Sequence, residues 1–209
     1  EHGGSRSAHS LLRPCKTIVD LWSSVSRDYP GIQLQIVPFD DTYPEWLNVL
    51  ENLGKDLDIV AGIYPSTRWN RRCQILPLTE IPLCCAVSRQ NPLSSRKKLR
   101  LPDLYGENLL MVERGDTKFI DALRDEIEKN HPQIHIQDVA SYGTGVFNQC
   151  DRTNSVMVTI GTWAELHPSL VTILCEWDYT VPYGIVYAEN PSALVLEFIG
   201  IMKKFSKIG

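Results

Sequence analysis

Asp56-Leu-Asp-Ile-Val-Ala-Gly-Ile-Tyr64 constrains the fold more than any other stretch of this chain. Leu57 to Ile63 reads as a buried strand that runs out into a loop headed by Gly62, Tyr64 and Pro65. The segments before it set its context. Leu11, Leu12, Cys15, Ile18, Val19, Trp22 and Val25 recur at helical spacing, one apolar stripe from about Ser7 to Asp28. Ser7 or Ser10 is placed to cap that helix, and Pro14 falls early in it, where a missing N–H does least harm. Tyr29-Pro30-Gly31 stops it. Ile32 to Val37 then alternates as a strand does, and Pro44, Trp46, Leu47, Leu50 and Leu53 form a second amphipathic helix closed by Gly54. Strand, helix, strand in this order implies a largely parallel sheet covered by helices.

The same alternation restarts downstream. Cys73 to Glu80 and Leu83 to Val87 read as two further strands. Leu109 to Val112 is a short strand, and Asp116 or Thr117 caps a helix carrying Phe119, Ile120, Leu123 and Ile127. Ile134 to Val139 is a strand, Gly143 to Asn148 opens a helix, and Val156 to Ile160 is another strand. Tyr183 to Ala188 is a returning strand. Ser192 caps a last helix with the stripe Leu194, Val195, Phe198, Ile199, Met202 and Phe205. Placed on the first half, that helix makes the first lobe discontinuous.

Bulk properties exclude several function classes. The 209 residues are 43% hydrophobic, ordinary for a folded chain, with a net charge of −4 and a pI near 5.7. DNA-reading domains carry a basic stripe and a high pI, so this chain is not expected to bind nucleic acid by itself. Arg89, Arg96, Lys97, Lys98 and Arg100 do cluster, but without interleaved aromatics they read as a solvated loop. No apolar run approaches the roughly 20 residues of a membrane span, and Glu1 to Ser7 lacks the pattern of a signal peptide. No membrane association and a cytoplasmic location are the expectation.

No enzyme signature stands out. The six cysteines include no Cys-x-x-Cys pair, and none joins a histidine at zinc spacing. Cys84 and Cys85 are adjacent on a strand and face opposite sides; buried free thiols are the simplest account. His131 and His135 are separated by Pro132, so no metal-binding helix carries them. There is no Gly-x-Ser-x-Gly elbow, Walker loop or His-Glu-x-x-His. No catalytic residue, metal or cofactor is assigned.

Short matches occur in a fixed order: Leu11-Leu12-Arg13-Pro14, Tyr29 to Leu34, Leu57-Asp-Ile-Val60, Asn91-Pro-Leu-Ser94, Leu101 to Tyr105 and Tyr183 to Tyr187. Together the chain resembles the effector-binding domain of LysR-type transcriptional regulators. The resemblance implies an α/β fold of two Rossmann-like lobes joined by two crossover strands, of the type II periplasmic-binding-protein kind. Lobe I would be 1–86 plus 184–209 and lobe II 87–183. It also implies a small effector, a carboxylate by the chemistry of helix N-termini, held in an interlobe cleft, and a homodimer or homotetramer. DNA would be read only through a helix-turn-helix domain absent from this sequence. Trp22 and Val25, if exposed, suit the side-by-side dimer of the family. Glu1-His-Gly-Gly4 departs from the family's apolar first strand. The alternative within the same fold is a solute-binding protein that delivers a small anion to a transporter.

Four segments are expected to line the site. Gly4 to Ser7, taken to precede the first helix, offers Ser5, Arg6 and Ser7; helix capping and ligand binding both fit the serines. Pro38 to Thr42 offers Phe39, with Asp40 and Asp41 as caps or as ligand groups. Gly62 to Trp69 offers Tyr64 and Trp69 as an aromatic wall, with packing as the other reading of Trp69. In lobe II, Arg114 either meets the effector or pairs with Glu113 or Asp116. Gly143 and Thr144 open a helix start whose amides face a ligand.

Overall fold

The computed structural model describes residues 4–10, 16–39, 43–63 and 73–204. Its backbone divides into two compact units, Glu1–Glu80 with Pro182–Gly209, and Ile81–Val181. The chain leaves the first unit inside the strand Cys73–Ser88 and re-enters it inside the strand Thr180–Ala188. The resemblance placed these passages at 86/87 and 183/184; they fall at 80/81 and 181/182.

In the first unit the order is β1 (Gly4–Ser10), α1 (Lys16–Val25), β2 (Gln33–Phe39), α2 (Tyr43–Glu51) and β3 (Ile59–Ile63). β1 is central. It pairs in parallel with β2 from Gly4↔Gln33 to Ser10↔Phe39, and with β3 at Ser7↔Ile59 and Ala8↔Val60. The start of this unit differs from expectation. Gly4 to Ser10 is a strand, not a loop and helix start, and the helix of the described residues that follows is Lys16–Val25. The segment GSRSAHS has almost no apolar alternation, so local pattern gives no strand signal. Neighbours on both sides supply the hydrogen bonds instead, and tertiary pairing overrides propensity.

The end of β10 (Thr180–Ala188) closes this sheet. It lies antiparallel to β3 from Tyr183↔Ile63 to Tyr187↔Ile59. Gln74, at the start of β4 (Cys73–Ser88), ties to it twice: its Nε2 donates to the Glu189 carbonyl at 2.8 Å, and its Oε1 accepts from the Tyr187 hydroxyl at 3.1 Å. α5 (Ala193–Lys203) is capped by Ser192, whose hydroxyl accepts from the Val195 N–H. Its Phe198 is fully buried and packs on Trp22 of α1 at a ring distance of 5.2 Å. Trp22 is therefore core and not a free docking face, contrary to the expectation that it is exposed. The apolar stripe of α1 turns it inward onto α5.

The second unit has the strand order β7-β6-β8-β4-β9-β5. Its elements are β5 (Lys98–Leu99), β6 (Asn108–Val112), α3 (Lys118–Asn130), β7 (His135–Val139), α4 (Thr144–Thr153), β8 (Val156–Ile160) and β9 (Leu170–Cys175). β6, β7 and β8 are parallel; β4 and β9 are antiparallel to their neighbours on the β8 side. Leu109, Leu110 and Met111 are fully buried, the continuous apolar run of a parallel strand covered on both faces. Cys73–Ser88 is one sixteen-residue strand, not two. Pro77 and Pro82 suggest an interruption, yet both residues are accommodated without breaking it. Leu170–Cys175 is a strand that received no assignment from sequence, although Val171, Thr172 and Ile173 are good strand formers.

Gly54 closes the turn after α2 with φ +84, and a Cβ built there would lie 2.7 Å from the Ala188 Cβ. Both features require glycine. Gly54→Ala should destabilise the chain by about 1–3 kcal/mol, the usual cost of forced left-handed backbone, as read from urea denaturation midpoints.

Candidate functional site

In both units three parallel strands run in the order second, first, third: β2-β1-β3 and β7-β6-β8. Ligands on such sheets bind outside the carboxyl ends of the strands, at the point where the order reverses. That point lies between β1 and β3 in the first unit and between β6 and β8 in the second.

In the second unit the carboxyl end of β6 is held by side chains. Arg124 of α3 is almost fully buried. Its Nη2 donates to the Val112 carbonyl at 2.9 Å and to Asp138 Oδ1 at 2.7 Å. Its helical spacing from Ile120, Leu123 and Ile127 points it into the sheet with them. Its Nε has no hydrogen-bond partner among the described residues. The Tyr142 hydroxyl accepts from the Val112 N–H at 3.4 Å. Burial holds the Tyr142 phenol protonated, its pKa pushed well up. The Tyr142 ring packs on Trp163 at 5.5 Å, and Trp163 on Phe147 at 6.4 Å.

α4 starts immediately after Tyr142. Gly143 is its N-cap in extended geometry, with no side-chain cap bond. The first amides of a helix have no intrahelical acceptor, and the helix dipole makes that end positive. A Cβ built on Gly143 or on Gly145 would meet no atom within 4 Å beyond its chain neighbours and the helix's own backbone. Thr162 Oγ1 and His167 Nδ1 are buried atoms without hydrogen-bond partners among the described residues. His167 shares its Nε2 with Asn148 Oδ1 on α4 at 3.1 Å.

The expected site residues fall as follows. Gly143 sits at the uncapped start of α4, and Thr144 opens that helix; its side chain lies outside the described residues. Arg114 is half-exposed and paired with Asp125 at 2.7 Å and Glu128 at 2.8 Å, both on α3. Those two carboxylates raise its pKa, hydrogen bonding to Asp125 first. These acidic partners lie 11 and 14 residues along the chain. Ser5, Arg6 and Ser7 lie within β1, paired to Leu34, Gln35 and Ile36 of β2. Ser10 stands at the carboxyl end of that strand. Phe39 is the last residue of β2, opposite Ser10. Tyr64, Trp69, Asp40 and Asp41 lie outside the described residues. Tyr142 and Arg124 escaped sequence reasoning. A tyrosine just before a Gly-x-Gly helix start was the available signal for the first; for a buried arginine there was none.

Among the described residues no cluster of histidine, cysteine and carboxylate side chains could hold a metal ion. Cys73, Cys84, Cys85, Cys150 and Cys175 are free thiols. A cavity of about 790 Å³ in the first unit is lined by Leu47, Leu50, Leu53, Cys73 and Ala188 among others. It lies at the amino end of β3, where Tyr187 faces Ile59, and so away from the strand ends that bind ligands in this topology.

Comparison with known proteins agrees with this geometry. A family model described as the LysR substrate binding domain matches residues 15–206, and the chain belongs to that family. It is an effector-binding domain of the LysR type, with the type II periplasmic-binding-protein fold. It is similar in structure to the effector binding domain of QuiR in complex with shikimate, at 15% identity and a TM-score of 0.72 over 99% of this chain and 98% of that one. The Synechocystis PCC6803 CcmR regulatory domain in complex with 2-PG aligns at 14% identity and a TM-score of 0.65, covering 99% and 98%. CbnR, a LysR family transcriptional regulator, aligns at 16% identity and 0.72, covering 98% of this chain and 70% of that one. Identities this low establish the fold alone. No curated protein matches the sequence. No described helix is long and apolar enough to cross a membrane.

The buried thiols give the second unit a defined alkaline limit. Cys150 donates to the Ser155 carbonyl at 3.2 Å, and burial, then Asp151, push its thiol up to about 12. Burial and then Cys175 push Cys84 up to about 11. A folded-state pKa above the unfolded value of about 8.5 gives stability that is whole below that pH. It is lost as pH rises toward 11 to 12, because only the unfolded thiols ionise there. Urea unfolding free energy should therefore fall steadily above about pH 9, and Cys150→Ala should flatten the fall.

Proposed function

We propose that this domain is the ligand-sensing half of a cytoplasmic transcriptional regulator. It binds a small anionic effector, a carboxylate, and passes the binding on as a change in the geometry of a homodimer or homotetramer. DNA contact belongs to a helix-turn-helix domain elsewhere in such a regulator. The observation that carries the reading is the start of α4: an extended glycine cap without a side-chain bond, no atom within 4 Å of where a Cβ on Gly143 or Gly145 would stand, and a place just past the carboxyl end of β7, tied through Tyr142 to the end of β6. An oxyanion satisfies those amides and meets the positive end of the dipole. Arg114 is committed to Asp125 and Glu128, so we assign it a secondary role. In the first unit Ser5, Arg6, Ser7, Phe39, Tyr64 and Trp69 remain the contact candidates, with the carboxyl end of β1 nearest the switch point.

The complexes of QuiR with shikimate and of CcmR with 2-PG support a small acidic ligand for this fold. Membership of the LysR family favours a sensor over a solute carrier or an enzyme. An effector that binds only the folded state raises the melting temperature by mass action. A thermal-shift screen of small carboxylates and phosphate esters should yield at least one acid that raises Tm by several degrees at about 100 Kd, the level where linkage adds about 2.7 kcal/mol. A flat response across the panel overturns the reading. Thr144→Val should weaken binding of that acid roughly fivefold to tenfold, one hydrogen bond's worth, with Tm of the free protein little changed; unaltered affinity removes Thr144 from the site.

A further inference from the structure

The start of α4 has no cap of its own, yet its place is fixed from outside. Pairing of β6 with β8 runs only from Leu109↔Val156 to Leu110↔Met157. One strand over, the Glu113 N–H reaches the Val139 carbonyl of β7 at 2.9 Å. Backbone groups alternate sides along a strand. Val112 therefore turns its N–H and C=O the other way, toward β8 and past the last β6–β8 pair. Val112 is only 2% exposed, so water is a poor partner for these groups. Arg124 takes the carbonyl and Tyr142 the N–H.

Tyr142 is thus held at both ends. Its hydroxyl is tied to the end of β6, and its backbone leads straight into the Gly143 cap. Its ring packs on Trp163, which also backs Phe147 in the first turn of α4. A hydrogen bond from the Val146 N–H to the Gly143 carbonyl is the first turn's own closure. The Tyr142 hydroxyl makes no second hydrogen bond among the described residues.

We infer that Tyr142 is a positioning residue of the effector site: through the Val112 amide it fixes the open amides of the α4 first turn relative to the end of β6. The inference rests on the anion-binding reading of α4 given above.

Tyr142→Phe in the full 209-residue chain removes the hydroxyl and keeps the ring. Amide hydrogen exchange is followed by NMR, together with a titration of the Gly145 amide signal by inorganic phosphate. The expected result is exchange roughly tenfold faster at Val146, Phe147 and Asn148, about one hydrogen bond's worth, with Leu109 to Met111 unchanged. Phosphate should then shift the Gly145 signal with severalfold weaker affinity than in the wild type. Less than a twofold change in exchange, or acceleration spread evenly over β6, β7 and β8, shows a structural role only and overturns the inference. Equal phosphate affinity in variant and wild type also overturns it. A wild-type Gly145 signal indifferent to phosphate overturns the anion-site reading itself, and Tyr142's role in it falls as a consequence.

Discussion

Val112 is the last residue of β6: it still pairs with Val139 of β7, but on its other side it lies beyond the last β6–β8 pair. A buried peptide group without partners costs on the order of 1–3 kcal/mol, and here both its N–H and its C=O face a gap. The sequence fills the gap with two side chains from different elements, Arg124 from α3 and Tyr142 from the segment before α4. Each fastens its own element to the same peptide unit. α3 and the segment that leads into α4 are thereby registered against one fixed point of the backbone.

Arg124 also shows why such a device is stable. A buried guanidinium is costly unless its charge and its donors are matched. Asp138 supplies the charge, the Val112 carbonyl a second acceptor, and Glu128 approaches at 3.7 Å. Asp138 is largely exposed, so the pair stays partly in water and is worth less than a fully buried one. The Nε left without a partner among the described residues is the residual cost. The first unit repeats the strand order without repeating these residues. Its central strand is GSRSAHS, polar where β6 is NLLMV. The same strand order is thus built on a polar central segment in one unit and on an apolar, buried one in the other.

Much of the fold was legible because apolar period and caps agree. Val156 to Ile160 is a strand of the expected extent, and Thr117 and Ser192 cap helices as their positions suggest. The misses share one cause. β1 is held by pairing on both edges and not by its own pattern, and a strand interrupted in sequence by Pro77 and Pro82 continues through both. The burial of Trp22 follows from the docking of α5, which lies more than 170 residues along the chain from it. The candidate site was legible where it depends on backbone: Gly143 and the glycine after it announce an open helix start. It was not legible where it depends on long-range side-chain reach, as with Arg124 and Tyr142.

The committed state of Arg114 sharpens what the site can recognise. Its guanidinium is engaged by two carboxylates of α3, both exposed. On the proposed reading, with Arg114 already engaged, the attraction for an anion at the start of α4 rests on peptide dipoles and hydroxyl donors. Dipoles act over the first turn only and fall off quickly with distance. They reward an oxyanion placed in contact with the amides and do little to gather anions from afar. A site of that kind discriminates by fit rather than by charge number, so a monovalent acid of the right shape competes well with a more highly charged one. That behaviour suits a sensor, which must answer to one metabolite against a background of many anions.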